Sequence, residues 1–203
     1  VLPIVSDGQK VGYSHFVVPA ANLAEGKLVE HAEVLGFDKL MDVIHFLQTM
    51  EYEDPKISLS DKQQKISEVD FAEVNGQAFL KRAAEIAASG MHNMLMVGPP
   101  GSGKTMISER MATILPPLEK DEQLEVSKIY SICGLLSNSQ TLIEKRPFRN
   151  PHHTITRAGL AGGGLFPKPG EISLAHNGVL FLDELTEFDK TTIEILRQPL
   201  EEQ

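Results

Sequence analysis

Short apolar runs alternate with amphipathic and polar stretches along the chain, and this alternation predicts an α/β protein. Phe16-Val17-Val18 is an apolar run of strand type, Ala20 to Glu33 reads as loop and helix, and Val34-Leu35-Gly36-Phe37 is a second apolar run. From Leu40 to Leu47 the apolar residues recur at helical spacing, with Asp38 expected at the N-cap. Residues 1–50 therefore form a βαβα pattern, too short for a robust core of its own. Residues 51–69 are polar with few apolar anchors and read as a linker. A larger unit follows over residues 70–203. Asp70 is expected to open a helical turn, and Gln77 to Ser89 a helix stopped by Gly90. Met94-Leu95-Met96-Val97 and Val179-Leu180-Phe181-Leu182 have the continuous apolar character of strands buried on both faces. No internal repeat is visible.

The first of these two runs leads into Gly98-Pro99-Pro100-Gly101-Ser102-Gly103-Lys104-Thr105, a GxxxxGK[ST] phosphate loop. After it, apolar residues at helical spacing predict a helix over 103–115 that ends before Pro116-Pro117. Strand, glycine loop and helix are the context in which the motif has meaning. Its glycines let consecutive N–H groups curl toward phosphate oxygens at a helix N-terminus. Lys104 is placed to reach the β- and γ-phosphates, and the Thr105 hydroxyl to ligate Mg²⁺. The second run ends in Asp183-Glu184. An apolar strand followed by two acids is a weak signal alone. Beside a phosphate loop it assigns Asp183 to the Mg²⁺ shell and Glu184 to the attacking water. The sequence reads as an ATPase site using ATP and Mg²⁺.

A net charge of −9 argues against a surface that is basic throughout, so any nucleic-acid contact has to be local. Between Glu144 and Glu171 there is no acidic residue, while Lys145, Arg146, Arg149, Arg157 and Lys168 all fall there. The segment is rich in Gly and Pro, which predicts loops or a hairpin. Its cations suit a DNA backbone, and equally a bound nucleotide, a neighbouring subunit or water. Within it, His152 and His153 do not form a metal signature, since neighbours on an extended chain point to opposite faces. The sole cysteine, Cys133, cannot form an internal disulfide and suits a reducing, cytoplasmic setting. No apolar run reaches membrane-spanning length, so no membrane partner is expected.

Val74-Asn75-Gly76-Gln77 resembles the adenine-contacting segment of AAA+ ATPases, which adds Val74, Gly76 and Gln77 to the nucleotide site. More specific are Arg149-Asn150-Pro151-His152-His153-Thr154, the triplet Gly162-Gly163-Gly164, and the run from Pro169 to Leu185. Together they resemble the magnesium-chelatase-like branch of AAA+ proteins and, within it, the competence-protein ComM (YifB) group. The resemblance implies a P-loop αβα sandwich, partial and lacking its helical lid, with Met94–Val97 beside Val179–Leu182 in one parallel sheet. It implies that residues 1–50 are the C-terminal part of a Lon-protease-like domain. It further implies a homo-hexameric ring that moves on DNA and promotes branch migration in natural transformation. A metal-insertion or protein-remodelling ATPase of the chelatase type is the alternative. The chain opens at Val1 and stops one helix past Glu184, ahead of the expected sensor asparagine, arginine finger and lid. It is therefore expected to be a piece of a longer protein, with turnover a property of the intact molecule.

Overall fold

The computed structural model describes residues 1–55, 69–136 and 142–201. The chain divides into two compact units, one of Val1–Gln64 with Ser127–Ile143, the other of Lys65–Val126 with Glu144–Gln203.

The first unit opens with a helix that the sequence pattern did not reveal, α1 (Leu2–Lys10), with Pro3 in the first turn where its missing N–H costs nothing. It buries Leu2 and Val5. The two apolar runs form parallel strands β1 (His15–Pro19) and β2 (Glu33–Phe37), with Phe16 opposite Val34 and Val18 opposite Gly36. A 3₁₀ turn at Ala20–Asn22 and the short α2 (Leu23–Gly26) make the crossover. The next helix, α3 (Leu40–Thr49), corrects one expectation: Lys39, not Asp38, is its N-cap residue, and no side chain caps it. The start of the expected linker is also docked, not free. The Tyr52 ring lies 5.4 Å from that of Phe37, and its hydroxyl accepts the Gly36 N–H at 3.0 Å. Residues 56–68, most of that linker, lie outside the described residues.

In the second unit, Asp70 accepts the Ala72 N–H at 2.8 Å and opens a 3₁₀ turn, Phe71–Glu73. Then come α4 (Ala78–Gly90) and α5 (Lys104–Ile114). Gly90 is the last residue of α4, and Met91 instead takes the left-handed cap position at φ 53°. Phe71, Val74, Ala84 and Ile107 are buried together, flanked by Leu80, Met111 and Ile114, so the two helices and the turn share one core. Arg110 of α5 reaches Glu73 at 2.6 Å and fixes the turn to the helix.

A helix the sequence reading passed over, α6 (Lys120–Ile132), begins where Glu122 reaches back to accept the Glu119 N–H at 2.9 Å. That is the reciprocal half of a capping box. Beyond it, β3 (Phe148–Arg149) leads to α7 (Arg157–Ala161) and to an antiparallel hairpin of β4 (Gly162–Gly163) and β5 (Lys168–Pro169). The basic segment thus holds a hairpin and a short helix. After α8 (Glu171–Leu174) comes β6 (Val179–Leu180), parallel to β3 with Phe148 opposite Val179. The chain continues through a 3₁₀ turn at Leu185–Glu187, α9 (Lys190–Glu194) and α10 (Arg197–Glu201).

The expected adjacency of the two apolar runs is not found. The partner of Val179–Leu180 is Phe148–Arg149, and Met94–Val97 belongs to no strand, with Leu95 77 % and Val97 91 % exposed. An apolar run becomes a strand only where neighbours take up its backbone hydrogen bonds, and none of the described residues does so here. The architecture is mixed α/β with parallel strand pairs.

Candidate nucleotide site

The phosphate loop owes its shape to two glycines in the left-handed region, Gly101 at φ 76° and Gly103 at φ 85°. A side chain is costly there, and Gly103 serves as N-cap to α5. Lys104 folds back over the loop. Its ammonium donates to the carbonyls of Gly98 at 2.8 Å and Pro99 at 3.0 Å, and approaches the Ser102 hydroxyl at 3.4 Å. These neutral oxygens hold the cation over the loop.

The second half of the site arrives on the residues after β6. The Thr105 hydroxyl donates to Asp183 Oδ2 at 3.1 Å, bringing the end of the phosphate loop and the acid pair together. Asp183 Oδ1 meanwhile accepts the Glu184 N–H at 3.0 Å. One hydroxyl and one carboxylate side by side are the hard-oxygen donors that Mg²⁺ takes when phosphate and water complete its shell. Among the described residues there is no group of three or more His, Cys, Asp or Glu able to hold a metal by themselves. The donor set thus fits Mg²⁺ delivered with a nucleotide.

Glu184 itself sits at φ 52°, a left-handed backbone unusual for a residue with a side chain. Its carboxylate is exposed, and Oε2 lies 3.4 Å from His153 Nδ1. Of the adenine-type segment, Gln77 donates from its amide to the Ser102 carbonyl at 3.3 Å, tying that segment to the loop. Gly76 is in the left-handed region at φ 69°. Val74 is 1 % exposed, backbone included, and sunk in the core, with its N–H on the Phe71 carbonyl at 3.1 Å.

The five cations of the basic segment separate into two kinds. The side chain of Arg146 is 6 % exposed and spans Glu122 at 3.1 Å and the carbonyls of Asn177 and Pro116. As a DNA contact it is corrected: its donors are consumed inside the unit. Arg149 makes a bidentate pair with Glu171 at 2.5 and 2.8 Å, a strong geometry that holds its guanidinium on a carboxylate. Lys145, Arg157 and Lys168 are exposed. The histidine pair also departs from expectation. A turn closed by the Ile155 N–H on the His152 carbonyl at 2.9 Å brings the rings 4.0 Å apart, whereas an extended chain would have opposed them. Sequence reasoning also passed over the hairpin tip, where Leu165 is 93 % and Phe166 80 % exposed. Two large apolar residues between Gly164 and Pro167 were the available signal.

The sequence pattern of the family described as magnesium chelatase, subunit ChlI, matches residues 70–203. This chain belongs to that family. It is 41 % identical over 209 residues to the competence protein ComM of Haemophilus influenzae, covering 99 % of this chain and 40 % of the relative. An uncharacterised protein of Mycobacterium tuberculosis is 42 % identical over 203 residues, covering all of this chain and 40 % of its own length. The uncharacterised YifB protein of Escherichia coli is 42 % identical over 198 residues, 97 % of this chain and 38 % of that protein. The chain spans about two fifths of the length of these relatives. No helix among the described residues is long and apolar enough to cross a membrane.

Proposed function

We propose that this chain carries the nucleotide site of an AAA+ motor that hydrolyses ATP and works on DNA in the cytoplasm as a hexameric ring. The observation that carries the reading is the contact of Thr105 with Asp183 at the mouth of a glycine-shaped phosphate loop. In this reading Lys104 leaves the loop carbonyls for the β- and γ-phosphates, a stronger partner for an ammonium than neutral oxygen. Thr105 and Asp183 hold Mg²⁺, which when bound neutralises charge on the phosphoryl oxygens. Glu184 orients a water in line with the γ-phosphate and takes its proton. Gln77 and Gly76 border the base.

The finer architecture, an αβα sandwich preceded by a Lon-like part over residues 1–50, belongs to the same proposal. The DNA assignment draws support from the competence-protein name of the Haemophilus influenzae relative and from the exposed Lys145, Arg157 and Lys168. Branch migration during natural transformation is the task proposed for the whole protein. A second reading follows from the family's description: a motor that presses on a partner enzyme, as in metal insertion. ATP turnover by the full-length protein, with and without single-stranded DNA, separates the two. The DNA motor is expected to be stimulated by DNA, and a rate indifferent to DNA at low salt favours the partner-enzyme reading. Absence of turnover in either condition refutes both.

A further inference from the structure

An asparagine followed by glycine carries its own chemistry. The backbone nitrogen of the glycine attacks the side-chain carbonyl carbon of the asparagine, since no Cβ on the glycine blocks the approach. A bond forms between that nitrogen and Cγ, and the Cγ–Nδ2 bond breaks. The side-chain nitrogen leaves as ammonia, carrying the proton that solvent has moved from the backbone N–H. The cyclic imide left behind takes up one water and opens at either carbonyl. One product is aspartate; the other is isoaspartate, whose backbone runs through the side chain. The reaction needs a backbone N–H that nothing holds and a side chain free to turn onto it.

Two Asn-Gly dipeptides occur in the chain, Asn75-Gly76 and Asn177-Gly178, and the fold treats them oppositely. The peptide group between Asn177 and Gly178 is held at both ends. Its carbonyl accepts the Arg146 guanidinium at 2.7 Å, and its N–H donates to the Ala175 carbonyl at 2.9 Å. Both residues are half-buried, and a Cβ on Gly178 would collide with the Pro147 carbonyl. Asn75 and Gly76 are exposed, and a Cβ on Gly76 would meet nothing within 4 Å. Among the described residues, none accepts the Gly76 N–H or bonds to the Asn75 side chain.

The neighbours of the exposed pair are fixed. Val74 is sunk in the core, with its N–H on the Phe71 carbonyl. Gln77 opens α4, where its carbonyl accepts the Lys81 N–H at 2.9 Å, while its side-chain amide donates to the Ser102 carbonyl of the phosphate loop. Gln77 also sits at φ 53°, a left-handed conformation that persists only where the surroundings over-determine it.

We propose that Asn75 is a self-modification site, whose conversion to isoaspartate releases Gln77 from the phosphate loop and weakens nucleotide binding. The effect on binding rests on the nucleotide reading of the site; the conversion itself does not. Isoaspartate inserts a methylene into the backbone between two anchors. Val74 is locked by burial, so the displacement falls on Gln77, whose backbone is strained and whose bond to Ser102 is exposed.

The test ages the full-length protein at mildly alkaline pH and follows both dipeptides by peptide mapping with mass spectrometry and isoaspartyl methyltransferase labelling. The ageing is repeated in denaturant. In the folded protein Asn75 is expected to convert about tenfold or more faster than Asn177, and in denaturant the two rates converge. Equal rates in the folded protein, or a faster Asn177, overturn the proposal. So does an Asn75 that converts in denaturant and stays intact in the folded protein. The isoaspartate form, separated by ion exchange, is then titrated with fluorescent ATP beside Asn75→Asp, which brings the charge without the methylene. The isoaspartate form is expected to bind about tenfold more weakly than the parent, and Asn75→Asp within about threefold of it. Methyltransferase treatment of the aged protein is expected to restore affinity. An isoaspartate form that binds as tightly as the parent overturns the effect on the loop, and so does an Asn75→Asp variant equally weak. A parent protein that binds no nucleotide instead refutes the nucleotide reading, while the mapping still decides whether Asn75 is the modified residue.

Discussion

Under the proposed function, Lys104 is a single side chain held ready for its ligand. Its ammonium rests on two backbone carbonyls and a hydroxyl of its own loop, partners that a phosphate outcompetes because its oxygens are charged. Lys104→Ala in the full-length protein is expected to weaken ATP binding by at least about tenfold, roughly 1.4 kcal/mol. The loop itself is set by Gly101 and Gly103, so the variant should unfold at the parent's temperature. Calorimetric titration with ATP together with thermal melting checks both halves. A variant that binds ATP with the parent's affinity would remove Lys104 from the site.

At the level of elements, the β3–β6 pair depends on one close approach. The Val179 N–H donates to the Pro147 carbonyl at 2.8 Å, and a Cβ at Gly178 would collide with that same oxygen. Gly178→Ala is therefore expected to push β6 from β3 and disturb Asp183, which follows two residues after Phe181. The expected signs are a destabilisation of about 1–3 kcal/mol in chemical denaturation and a weaker response of ATP affinity to Mg²⁺. The start of α6 offers a pH test. The Glu119 N–H on its carboxylate holds Glu122 below its ordinary range, against a smaller opposing effect of burial and with help from Arg146. A carboxyl depressed in the folded state contributes stability that is present above its unfolded pKa and is lost as pH falls through the folded one. Glu122→Gln should thus cost stability at neutral pH and lose less than the parent on acidification. Parallel melting curves for the two proteins between neutral and acid pH measure this.

For the whole molecule, the proposed DNA contact turns on which cations are left exposed. Arg157 and Lys168 are exposed at α7 and the adjoining hairpin, with Leu165 and Phe166 at its tip. Replacing both cations in the full-length protein is expected to lower DNA affinity and flatten its dependence on salt by about one unit of slope per lost contact. Nucleotide binding should be unchanged. Arg146→Ala is expected to behave differently, because it strands two carbonyls and a carboxylate inside the unit. A loss of stability of about 1–3 kcal/mol is expected, with the salt slope of the folded protein preserved. Fluorescence anisotropy at several salt concentrations, beside thermal melting, distinguishes the two outcomes. An unchanged affinity for the Arg157 and Lys168 double variant would remove this segment from the DNA interface.

Much of the candidate site was readable before any fold was known, because its parts are local. A phosphate loop encodes its own backbone through glycine positions, and α5 begins and ends where Gly103 and Pro116 dictate. The pairing of Thr105 with Asp183 was likewise implied by motif chemistry, although its distance was not. Other features depended on groups far apart in the chain. Arg146 and Arg157 are indistinguishable as letters, yet one is enclosed by Glu122, Pro116 and Asn177 while the other is exposed. The Met94–Val97 run has the composition of a strand without the neighbours that make one, since a ladder is a property of two segments. His153 acquired its partner only when a turn after β3 met the residues following β6. The sequence alone determined the chemistry that short windows carry, through glycine torsions, helix punctuation and the order of ligating side chains. Tertiary structure decided which charges are consumed inside and which face water, because burial and pairing follow from the approach of distant segments.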